Sequence, residues 1–141
     1  MKIRNILLKS IEARRYTGRN ERPKQVRIDH NSTITQIYDV QDKQSMIDFQ
    51  YTASYGPVGV IKLEGTLQYQ ADDAKTLAKE WNASRKMPNQ IASQLHTAIM
   101  HACVPEAVGI AKDLGLPPPI PLPQVRLGDN PKQGQVGPEV A

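Results

Sequence analysis

The chain has 141 residues, of which 39% are hydrophobic but only 5% aromatic, and it carries a formal net charge of +4. That length fits one domain of the commonest size, able to bury an aliphatic core without staples. A lone cysteine, Cys103, excludes an intrachain disulfide and a multi-cysteine metal site and fits a reducing, cytoplasmic setting. No apolar run reaches the ~18 residues of a membrane span, and the one beside Lys2 and Arg4 is too short for a signal peptide.

Alternation at period two, the mark of half-buried strands, dominates the first half. Ile3 to Arg15 is the first candidate, with Leu7, Ile11 and Ala13 in phase. A basic connection over 16–25 follows, containing Gly18 and Pro23. It reads either as a mobile loop or as a link that lets the first strand reach a non-neighbour. The second candidate puts Val26, Ile28, Ile34, Tyr38 and Val40 on one face, and His30 on the same core-facing phase as a hydrogen-bonded structural residue. The third places Ile47, Phe49, Tyr51, Ala53 and Tyr55 inward, and the fourth Ile61, Leu63, Gly65, Leu67 and Tyr69. Short turn-rich connections at Gln41–Gln44 and Tyr55–Pro57 suit hairpins. One apolar and one polar face per strand predicts an antiparallel sheet covered on one side.

After Tyr69 the period becomes helical. Ala74, Leu77, Ala78 and Trp81 form one stripe, with Asp72 and Asp73 at its positive end. Met87-Pro88 breaks that helix, and Pro88 opens a second with the stripe Ile91, Leu95, Ala98, Ile99 and Ala102. Pro105 either kinks this helix or starts a third segment, which Gly115 closes as a left-handed cap. Strands followed by helices predict an α+β fold: a four-stranded antiparallel sheet with two or three helices on one face. The run Leu116–Pro123 predicts polyproline II packed across the body. The domain is expected to span 1–127, and the Gly-, Pro- and Gln-rich 128–141 to form a flexible tail.

Few residues are arranged for chemistry. His96 and His101, five apart on a helix, point about 140° from each other, where a metal pair wants a spacing of three or four. Cys103 borders the Ile99/Ala102 stripe and reads as a buried structural thiol. Gly56-Pro57-Val58-Gly59 opens no helix and so is no phosphate loop. With no complete constellation, the chain reads as no enzyme and as needing neither cofactor nor metal. The charge leaves a competing reading. Residues 1–27 hold nine Lys/Arg against two Glu, as a nucleic-acid-binding surface would, but only Tyr16 among them could stack on a base. A small-ligand or enzymatic domain with a scattered site is the other alternative.

Two segments resemble the SecB family of protein-export chaperones. Met87-Pro88-Asn89-Gln90-Ile91 is similar to the family's proline-opened start of its long helix. Leu114-Gly115-Leu116-Pro117-Pro118-Pro119-Ile120-Pro121-Leu122-Pro123-Gln124-Val125 resembles its Gly-x-Pro-Pro segment. The order of elements agrees over about residues 1–127. The resemblance implies an ATP-independent holdase, a homo-oligomer (dimer or tetramer) that binds unfolded or non-native polypeptides in apolar grooves and is linked to protein export. Carried onto this chain, it implies client contacts at Trp81, Met87 and Ile91, and at Leu116, Ile120 and Leu122. Familiar bacterial members are acidic where this chain is basic, which sets the export-ATPase docking role apart from the expectation.

Overall fold

The computed structural model describes residues 1–21 and 25–120. Leu122, the proline run beyond Ile120 and the expected tail 128–141 lie outside the described residues. The strands are β1 (Lys2–Arg15), β2 (Asp29–Tyr38), β3 (Gln44–Ser54) and β4 (Gly59–Gln70), the last two joined through a short 3₁₀ turn at Gly56–Val58. Helices α1 (Ala74–Ser84) and α2 (Asn89–Leu114) follow.

The four strands form one antiparallel sheet in the order β1-β4-β3-β2. β1 therefore pairs with β4 and not with β2, so the 16–25 connection does carry the chain to a non-neighbour. β3 and β4 occupy the middle, and their inward positions, among them Ile47, Phe49, Tyr51, Ile61, Leu63 and Tyr69, are fully buried. Burial of each such side chain contributes about 1.5–3 kcal/mol. Both helices lie on this apolar face, and the α+β architecture read from the sequence is the one the chain adopts.

The edge strands depart from simple alternation. Between Arg4 and Leu7, and again between Leu8 and Ser10, β1 carries an extra residue against β4. The first bulge, where Asn5 takes φ 54°, turns Leu7 to the outer face, where it is 64% exposed. Ile11 lies opposite Leu63 on the inner side, yet it sits on the outermost strand and stays 55% exposed. The expected phase of Leu7, Ile11 and Ala13 is therefore corrected: only Ala13 packs against the core. A third bulge between Ile34 and Gln36 switches the face of β2, so that Ile37 is buried; Val40, past the end of the strand, is exposed.

α2 is one continuous helix with Pro105 inside it, so the α-helices among the described residues number two. Its buried residues, Leu95, Ile99, Cys103, Ala107 and Ala111, recur at every fourth position. Such a row is inclined to the helix axis. Gly115 ends the helix at φ 67°, and Leu116 N–H returns to Ala111 O at 2.8 Å. Arg15, at the end of β1, donates to Leu114 O at 3.3 Å and so fastens the edge strand to the helix end. Asp73 stands at the N-cap of α1 but makes no side-chain cap; its carboxylate instead accepts from Tyr69 O–H at 2.8 Å.

Candidate functional site

Trp81 sits in the last turn of α1 on the buried stripe and is 5% exposed. After Ser84 the chain leaves the helix through Arg85, which adopts a left-handed conformation (φ 61°, ψ 26°) and returns its N–H to Trp81 O at 2.7 Å. This turn folds the Arg85 side chain back over the helix it has just ended. Its guanidinium carbon lies 4.2 Å from the centre of the Trp81 ring, a cation–π contact worth roughly 0.5–1 kcal/mol at an exposed site. The indole is thus packed on the core from one side and roofed by a cation from the other.

Beside this pair a hollow of about 400 Å³ opens between β2 and the α1–α2 connection. Its walls are Ser32, Thr33 and Ile34 of β2, Trp81 of α1, Arg85, Lys86 and Met87 of the connection, and Asn89, Ala92 and His96 of α2. Met87 and Ile34 are half-buried against the core and supply the apolar floor. β2 is the outermost strand on this side, so one edge of its backbone has no neighbouring strand among the described residues. Ser32 and His96 are bonded across the gap, Oγ to Nδ1 at 2.8 Å, and both also line a second hollow of about 420 Å³ with His30, Met100 and His101. The two hollows follow one another along β2. A larger depression of about 880 Å³ lies elsewhere, among the polar turn residues Gln41–Gln44 and the start of β1.

His30 closes the far end of the second hollow. Its Nε2 is 2.6 Å from Pro119 O and its Nδ1 is 2.6 Å from Tyr51 Oη. A carbonyl only accepts, so Nε2 carries the proton and Nδ1 accepts the Tyr51 hydroxyl. Burial, and after it the neighbouring Cys103 and Tyr55, pushes the Tyr51 hydroxyl up to about 12, which keeps it a donor. The reading of His30 as a hydrogen-bonded structural residue matches this arrangement.

The residues expected to touch a client fall into separate places. Trp81 and Met87 share the first hollow. Ile91 is half-buried in the next turn of α2 and packs against the core. Leu116 is buried at the opposite end of α2, its methyls about 3.3–3.4 Å from where a side chain on Gly59 would begin. Ile120 is 39% exposed just past Pro119 and so lies near the second hollow. Reading by periodicity missed Ile34 as a wall and Arg85 as a roof. The signals were present in the chain: an apolar residue on an edge strand, and an arginine four residues after the only tryptophan.

No helix among the described residues is long and apolar enough to cross a membrane. No group of three or more His, Cys, Asp or Glu side chains gathers there as a metal site would require. Among the described residues the basic quarter does not form one patch. Lys2, Arg4 and Arg14 share the outer sheet face with Glu12 and Glu64, Lys9 pairs with Asp48 at 3.4 Å, and Arg15 turns toward the end of α2.

No family model matches the chain, and no curated protein does. Among solved structures the chain is similar to a SecB-like chaperone of Mycobacterium tuberculosis in complex with a ChAD peptide from the HigA1 antitoxin. The likeness has a TM-score of 0.55 at 13% identity and covers 89% of this chain and 87% of that one. At that identity what is shared is the fold.

Proposed function

We propose that this chain is a non-catalytic, ATP-independent binder of unfolded or non-native polypeptide, which it holds in extended form along β2. The observation that carries the reading is the pair of adjoining open hollows, the first of them walled by Trp81, Ile34 and Met87, and both bordered by β2, the last strand of the sheet on that side among the described residues. An extended chain laid there gains side-chain burial in the hollows and backbone bonds from the strand edge. Ile91 and Ile120 extend the apolar contact at either end, and Leu116 acts as the plug that fixes the proline segment. Binding of this kind holds clients away from aggregation by mass action on their unfolded state. It needs no cofactor and no metal. The SecB-like fold of a chaperone bound to a peptide supports the reading.

Self-association belongs to the same proposal. β1 is a 14-residue edge strand that exposes Leu7 and Ile11, a surface that pairs readily with a second copy.

The test is suppression of aggregation of a chemically unfolded model protein, without nucleotide, at low and high salt. Protection at both salts, weakened by Met87→Ser, is the expected outcome. Absence of protection at stoichiometric excess would remove the reading.

A further inference from the structure

The first hollow has a sign. Arg85 and Lys86 stand at its rim, and none of its lining residues is Asp or Glu. Every ion pair among the described residues uses other cations: Lys9, Arg27, Lys43 and Lys75. Neither Arg85 nor Lys86 donates a side-chain hydrogen bond within the described residues. The Arg85 guanidinium is nevertheless held in place, by the left-handed backbone at its own position and by the Trp81 ring beneath its face. A stacked guanidinium spends its face on the ring and keeps the N–H groups of its edge, the fork that grips a carboxylate through two parallel bonds. The start of α2 adds to the field in the same direction. Pro88 gives that 26-residue helix no side-chain cap, and its first turn holds no acidic residue.

Resting on the proposed polypeptide-binding role, we infer that the hollow selects extended segments in which an acidic residue stands next to an apolar one. The carboxylate meets Arg85 and Lys86, and the apolar side chain enters between Met87, Ile34 and the rim of Trp81. A basic segment is disfavoured, because it would bring like charge against two cations that no carboxylate among the described residues pairs with. A nucleic-acid strand presents phosphates to the same cations, but base stacking needs an open aromatic face, and Trp81 is already covered on both sides.

Three peptides of equal length test this, built on alternating leucine with glutamate, glutamine or lysine at the intervening positions. Trp81, the only tryptophan, reports occupancy by its fluorescence, and calorimetry checks it. The glutamate peptide is expected to bind about five- to tenfold tighter than the glutamine peptide at low salt, with the gap closing as salt rises. The lysine peptide is expected to bind weakest. In the R85Q/K86Q variant the three affinities are expected to converge to within about twofold of one another. Met87→Ser weakens all three alike. Equal affinity for the glutamate and glutamine peptides would overturn the charge inference and leave the groove intact. Failure of all three to bind would overturn the groove itself. Displacement of the glutamate peptide by a single-stranded oligothymidylate at lower concentration would assign the cations to phosphate instead.

Discussion

His30 donates from Nε2 to the carbonyl oxygen of Pro119 at 2.6 Å, tying the proline segment to the first residues of an edge strand. Pro117, Pro118 and Pro119 have no N–H, so this stretch offers the body only carbonyls. The donors must come from the sheet, and they do: Tyr55 O–H reaches Pro117 O at 2.7 Å, one turn of extended chain before His30 reaches Pro119. His30→Ala is expected to cost about 1 kcal/mol, seen as a fall of about 4 °C in Tm and faster proteolysis beyond Gly115. Tyr55→Phe acts in the same direction. Unchanged cleavage in both variants would show that the strap holds by apolar packing alone.

Gly65 and Gly109 predict opposite signs for the same substitution. A side chain on Gly65 would run into the Leu7 carbonyl oxygen and come within 2.7 Å of Phe49 Cζ. Neither can yield, since one belongs to the bulged backbone and the other to the core. Gly65→Ala is therefore expected to cost about 2–3 kcal/mol in urea titration. Gly109 lies on the exposed side of α2 with nothing within 4 Å of the added carbon. Gly109→Ala should stabilise by up to about 1 kcal/mol through helix propensity.

Alkali is expected to destabilise the protein from the ordinary thiol range upward. Burial, and secondarily Glu106, pushes the Cys103 thiol up to about 11. Burial also raises Tyr55 and Tyr69, the latter assisted by Asp73, along with Tyr51. In each case the native state keeps its proton where the unfolded chain has lost it. Stability is thus fully present below the unfolded pKa of the thiol, near 9, and declines as pH rises through about 9 to 11. Cys103→Ala should flatten the first part of that decline. Alkylation of Cys103 in the folded protein should be slow and track global opening.

Trp81 and Met87 separate stability from binding. Trp81 is core as well as groove floor, so Trp81→Ala is expected to cost about 3–5 kcal/mol and to fail as a clean test of client contact. Met87 is half-buried at the rim. Met87→Ser should lower Tm by only a few degrees, at about 1 kcal/mol, while weakening peptide binding in fluorescence titrations. Equal affinity in that variant would move the client contact to the second hollow.

Leu7 and Ile11 test the pairing of copies along β1. Leu7→Lys or Ile11→Lys adds charge to an exposed edge without touching the core. Light scattering should then report a smaller particle than for the unchanged chain, at similar Tm. An unchanged mass would place any self-association elsewhere.

The amino-acid order alone determined the elements whose signals are local. The strict alternation of β3 and β4, the break at Met87-Pro88 and the left-handed cap at Gly115 can each be read within a few residues, and all describe the folded chain. The tertiary structure alone decided that β1 lies beside β4 rather than β2, and where alternation slips. A bulge is an extra residue measured against a partner strand, so the turning of Leu7 outward and Ile37 inward follows from the pairings with β4 and β3. The hollow beside Trp81 has the same origin. Ile34 and Met87 are 53 positions apart in the chain; they meet because helices covering the apolar face of the sheet must cross back to β2.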